Sequence, residues 1–123
     1  MIFLSPGKKY HWTFHARDKM RFYGLSESRV KRVLNSPMRV EEGVAPNTVA
    51  AMQPNVSMGT KGNEKWKQEI WVMTQTARKT PKGGSSVVKI ISAWRYPGVS
   101  KLRGAALREA MQKEYRDFTV AGR

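Results

Sequence analysis

The chain has no cysteine and only two histidines among its 123 residues. The first absence excludes disulfides and any thiolate metal site. The second leaves His11 and His15, close together near the start, too thin a donor set for zinc. No apolar run approaches the ~20 residues that span a bilayer. Residues 1–7 are apolar but too short for the core of a secretory signal. A cytoplasmic protein that keeps away from membranes is the expectation, and no metal or cofactor is called for. No internal repeat is visible.

Acids are scarce too. Nine Asp and Glu face 23 Lys and Arg, for a formal net charge of +14. Residues 1–40 carry +7, residues 41–76 carry −1 and residues 77–123 carry +8. Self-repulsion on this scale works against a compact chain unless an anionic partner relieves it. Nucleic acid is the first such partner to consider, because cationic side chains release its condensed counterions. Hydrophobic residues are 40% of the chain and aromatics 10%, enough for one modest core and unlike a disordered basic tail. The length fits one domain over 1–123.

Tyr10, Trp12 and Phe14 alternate with polar residues, a short strand-like entry. Ala16, Met20 and Tyr23 then recur at helical spacing, with Gly24 placed for a left-handed cap. Ser26 is a good N-cap for a second helix, with Leu25 and Val30 set as a hydrophobic staple, and Pro37 ends it. Helices are therefore expected near 14–23 and 26–35. Strands are expected over 38–44, 48–52, around 70–73, and over 87–94, the last being apolar enough to be interior. Residues 54–68 have no clean period and read as an inserted loop. Leu107, Ala110, Met111, Tyr115 and Phe118 share one face of a last helix near 103–118. This order predicts an α+β fold: two N-terminal helices packed on a four-stranded, mainly antiparallel sheet, plus a C-terminal helix.

Several residues are candidates for chemistry. His15 fits a general acid or base, and it equally fits a packed helix residue. His11 alternates with strand apolar positions and is expected to face water. Arg17 and Arg21 share a helix face and suit phosphate groups, or simply water. Lys89 interrupts an apolar strand and must find water or an anion. Arg95 and Tyr96 follow that strand; Tyr96 could donate a proton, stack on a base, or pack at the core edge. Lys31, Arg32, Lys79, Lys82, Arg103 and Arg108 complete the candidate nucleic-acid contacts. Lys82-Gly83-Gly84 does not meet the phosphate-loop pattern. Gly59-Thr60-Lys61-Gly62 matches a GXXG, but its flanks are loop-like. Trp66, between Lys65 and Lys67, is the tryptophan placed for base stacking. Glu41, Glu42 and Glu69 read as strand-end acids.

Two stretches carry a resemblance. One runs from His15-Ala16-Arg17 through Gly24-Leu25-Ser26 to Val33-Leu34 and Pro37. The other is Lys89-Ile90-Ile91-Ser92-Ala93-Trp94-Arg95. Together they resemble small bacterial domains related to BrnT-like and RelE-like toxins, over residues 11–44 and 69–96. The residue at 94 is Trp where BrnT-like proteins have Arg, residues 54–68 look inserted, and the last helix is longer than the usual minimum.

The resemblance implies a toxin-type, metal-independent endoribonuclease acting on messenger RNA, on or off the ribosome, and neutralised by an acidic antitoxin. The catalytic set it implies is His15, Lys89, Arg95 and Tyr96 converging at one end of the sheet, with Arg17 close by. His15 would move a proton, and Arg95 and Lys89 would stabilise the phosphorane. The residues alone leave a second class open, a non-catalytic RNA- or DNA-binding domain, because no unambiguous acid–base pair is present. A basic groove formed where the first two helices meet the last is a further expectation.

Overall fold

A computed structural model describes residues 9–55, 66–76 and 87–121. In chain order the elements are β1 (Lys9–Trp12), α1 (Phe14–Tyr23), α2 (Glu27–Asn35), β2 (Arg39–Glu42), β3 (Thr48–Pro54), β4 (Gln68–Thr76), β5 (Val87–Pro97) and α3 (Ala105–Val120). The fold is α+β. The sheet has five strands in the order β1-β5-β4-β3-β2, not the four expected. It is mixed: β1 lies parallel to β5, while β2–β3, β3–β4 and β4–β5 are antiparallel. β5 is interior, paired on both sides, as its apolar composition predicts.

Local sequence signals explain most boundaries. The Tyr10–Trp12 alternation stops at Thr13, whose side chain accepts from the Ala16 N–H and caps α1. The same hydroxyl donates to the Ile90 carbonyl at 2.7 Å, fastening the start of α1 to β5. At the far end of α1, Gly24 takes the left-handed conformation (φ 68°) that only glycine adopts freely. Ser26 caps α2 by accepting from the Arg29 N–H, and Leu25 and Val30 are buried in one cluster, as a staple requires. From Thr13 to Tyr23, α1 runs beside β5 where β1 has stopped. It shields the edge that a four-residue β1 leaves uncovered.

The core has two parts, one on each face of the sheet. Ala16, Met20, Val30, Val33 and Leu34 pack with Ile70, Val72, Val88, Ile90 and Ala93 beneath α1 and α2. Leu107, Met111 and Phe118 of α3 pack with Met52, Trp71, Met73, Ile91 and Trp94 on the other face. α2 and α3 therefore lie on opposite sides of the sheet, and the groove expected between the first two helices and the last is not formed. α1, at the sheet edge, reaches α3 through His15 and Lys19, which meet Glu114.

One irregularity controls where β5 side chains go. Met73 pairs with Ser92 and Thr74 with Ile90, so Ile91 is an extra residue in the ladder, a β-bulge. Ile91 and Ser92 consequently both turn toward α3. Beyond the bulge, the alternation between faces is reversed relative to an unbroken strand.

Candidate nucleic-acid interface

α2 carries its apolar stripe at Val30, Val33 and Leu34, which turns Arg29 and Arg32, three residues apart, to one side of the helix. That side faces a cleft of about 420 Å³, open to solvent, lined by Gly24, Leu25, Ser26, Arg29, Arg32, Asn55, Ile70 and Arg95. Arg95 enters from β5, on the α1/α2 face of the sheet. The three guanidinium groups thus come from two elements far apart in sequence.

Two of the three are held from behind by neutral groups. Arg29 Nη1 donates to Gln53 Oε1 at 2.7 Å, and Gln53 Nε2 in turn donates to the carbonyls of Arg32 and Ser36. Arg95 Nε donates to the Tyr23 carbonyl at 2.9 Å, and its Nη1 to Gln68 Oε1 at 2.9 Å. Asn55 Nδ2 donates to the same Gln68 oxygen. Among the described residues, no carboxylate forms an ion pair with Arg29, Arg32 or Arg95. The crowding is felt electrostatically: burial, and then the charges of Arg32 and Arg95, lower the pKa of Arg29 below the usual arginine range. An oxyanion in the cleft would relieve this repulsion and take the forked hydrogen bonds that guanidinium offers.

A second concavity of about 450 Å³ continues the surface across the Gly24–Leu25–Ser26 turn and is lined by Arg17, Met20, Arg21 and Glu27. Here the cations have partners. Arg17 lies 3.4 Å from Glu27 and Arg21 2.5 Å from Asp18, both exposed pairs. Such pairs are worth little and can yield to a phosphate.

The expected catalytic set does not come together. Arg95 lines the cleft, but Lys89, six residues earlier, sits roughly 20 Å along the strand. It also projects to the opposite face, pairing with Gln75, whose amide donates to Tyr115 of α3. In an unbroken strand residues 89 and 95 would share a face; the bulge at Ile91 separates them. Tyr96 packs at the margin of the α3-side core. His15 is 9% exposed and sits in a closed polar network. Glu114 Oε1 lies 2.8 Å from His15 Nε2 and accepts from Ser92 Oγ at 2.5 Å. Glu114 Oε2 lies 3.0 Å from Lys19 Nζ. This network ties α1, β5 and α3 together and does not open into the arginine cleft. His11 is exposed, as its strand position predicts.

Of the other candidate contacts, Lys31 is exposed on α2. Arg108 is turned onto the β2–β3 connection, donating to the carbonyls of Glu42 and Gly43. Arg103 lies beside it around a smaller concavity that also holds Glu41 and Glu42. These two cations face acids and stand apart from the cleft. Lys79, Lys82 and the 59–62 glycine motif lie outside the described residues.

Trp66 is not a free stacking platform. It packs against the α3-side core, and its indole N–H donates to Glu69 Oε2 at 2.8 Å. Glu69 is wholly buried and also accepts from the Trp71 indole and from the Ser100 hydroxyl and N–H. Burial by itself would raise its pKa; these hydrogen bonds outweigh that and hold the carboxyl below its ordinary value. Among the described residues, the exposed aromatics are Phe14 and Phe22 of α1, at 68% and 76% exposure. Both fall off the Ala16–Met20–Tyr23 stripe, which is the signal that could have found them. Arg29, similarly off the α2 stripe and three residues from Arg32, is the cleft residue that charge-counting alone does not single out.

No family model, curated protein or solved structure matches the chain.

Proposed function

We propose that the chain binds RNA, holding backbone phosphates in the Arg29–Arg32–Arg95 cleft. The observation that carries this reading is three guanidinium groups sharing one open cleft with no carboxylate among them in the described residues. The net charge of +14 supplies the long-range attraction. Phosphate contacts of this kind give affinity without sequence preference, and they weaken as salt rises. No helix among the described residues is long and apolar enough to cross a membrane; a cytoplasmic location goes with the RNA-binding reading. The test is binding of a fluorescent RNA to the purified chain and to Arg32→Ala and Arg95→Ala. Each substitution should weaken binding, while affinity unchanged in both would remove the cleft from the account.

The second reading is the toxin-type, metal-independent endoribonuclease, with an acidic antitoxin as partner. It is favoured by the place of Arg95, the candidate phosphate-holding cation of the toxin resemblance, among two further cations able to stabilise a phosphorane. Binding is put ahead because His15 and Lys89 do not share the cleft with Arg95. Incubation with bulk messenger RNA in chelator, with and without ribosomes, separates the two. Cleavage that Arg95→Ala abolishes would establish the ribonuclease; intact RNA retained by the protein would establish binding alone.

A further inference from the structure

We infer that the RNA taken by this surface is single-stranded, with unpaired bases stacking on Phe22 and Phe14 while the phosphates run through the arginine cleft. The inference rests on the RNA-binding reading above and adds the class of strand. The solvent side of α1 carries Phe14, Arg17 and Arg21 close together, with Phe22 further round the helix beside Lys19. Arg17 and Arg21 line the concavity that shares the Gly24–Leu25–Ser26 turn with the arginine cleft. The cations therefore run on from α1 to the cleft, and the two phenylalanines stand on the same helix beside them.

The two phenylalanines have no part in either core. Among the described residues, nothing in the packing of α1 accounts for leaving them at 68% and 76% exposure while Ala16 and Met20 fill the buried stripe. Phe22 is nevertheless held in place: the Tyr23 ring meets it edge-on at 4.8 Å between centroids, and Lys19 Nζ lies 5.7 Å from its centre. A ring ordered before binding loses little freedom when a base stacks on it. Eight residues of helix separate Phe14 from Phe22 by about 12 Å, a span of a few nucleotides. A positively charged track beside exposed aromatic rings is the general solution for strands whose bases are unpaired. In a duplex the base faces are already stacked on one another and are closed to both phenylalanines. On this face Asp18 and Glu27 balance Arg21 and Arg17, so the net positive charge of the surface comes from the three cleft arginines.

The experiment measures binding of a short, non-self-complementary RNA, its blunt duplex, and inorganic polyphosphate as a base-free polyanion. The proteins are the full chain and its Phe14→Ala, Phe22→Ala, Phe22→Trp and Arg32→Ala variants. The parent should prefer the single strand to the duplex. Phe22→Ala should lose between about 5-fold and about 150-fold in affinity for the single strand. It should bind polyphosphate as the parent does, and Phe22→Trp should restore RNA binding with quenching of the new indole. Equal affinity for strand and duplex would overturn the inference, and so would single-strand binding unchanged in both Phe→Ala variants. If those results came with weakened binding by Arg32→Ala, the arginine cleft would stand and only the stacking would fall. Arg32→Ala binding every polyanion as the parent does would instead remove the cleft itself.

Discussion

Arg29 on α2 and Arg95 on β5 share one cleft, in which burial, then the charges of Arg32 and Arg95, lower the pKa of Arg29. Two like charges held together by neutral hydrogen-bond partners form an arrangement that stability alone does not favour. The structure tolerates it because Gln53 and Gln68 each hold one guanidinium from behind. Both residues line the same opening.

Arg32 and Arg95 should respond differently to removal. Arg32 is exposed and shows no side-chain partner among the described residues, so Arg32→Ala should leave the melting temperature unchanged while weakening RNA binding. Arg95→Ala also removes the bonds to the Tyr23 carbonyl and Gln68, and should cost about 1–2 kcal/mol of stability as well. Thermal unfolding alongside RNA titration checks both. Equal melting temperatures for the two variants would show that the Arg95 contacts contribute nothing.

The His15–Glu114–Ser92–Lys19 network should matter for stability. Glu114→Ala leaves the buried His15 imidazole and Ser92 hydroxyl, and the partly exposed Lys19 ammonium, without their shared acceptor, and should destabilise the chain by about 3–5 kcal/mol. His15→Ala combined with Glu114→Ala should cost less than the sum of the single changes, because the two residues satisfy one another. Denaturant melts of the three variants measure this; additive costs would mean that the pair is not coupled. RNA binding per folded molecule should be unchanged in His15→Ala.

Glu69 ties stability to acid. Its folded-state pKa is depressed by hydrogen bonds from Ser100, Trp66 and Trp71. The stabilisation this gives is present above the unfolded carboxyl pKa of about 4.3 and is lost as pH falls through the lower folded value. Glu69→Gln should therefore lower the melting temperature at neutral pH, and the gap to the parent should close as pH falls below about 4. A gap that stays constant across that window would show that the ionised carboxylate gives no advantage.

Much of the framework was legible in the sequence because it rests on local chemistry. Gly24 ends α1 and Ser26 starts α2 where their side chains, or lack of one, demand it. The apolar run of β5 marked an interior strand. What was not legible depends on distant contacts. β1 joins the sheet by parallel pairing with β5, and nothing in four residues specifies a partner most of the chain away. The bulge at Ile91 has no glycine or turn residue to announce it, yet it decides that Lys89 and Arg95 part company. The candidate site was half visible: Arg32 and Arg95 stood out as cations. Arg29 takes its place only through the packing of α2 on β3 and β4, which brings it to Arg95 of β5.

The most direct test of the account is the salt dependence of RNA affinity in the parent and in a triple Arg29→Ala, Arg32→Ala, Arg95→Ala variant. Each phosphate released from a single strand flattens the slope of log affinity against log salt by about 0.7, so the triple variant should lose roughly 2 from the parent's slope. It should also bind far more weakly at low salt. A triple variant that keeps the parent's slope and affinity would contradict the assignment of the cleft as the RNA-binding surface.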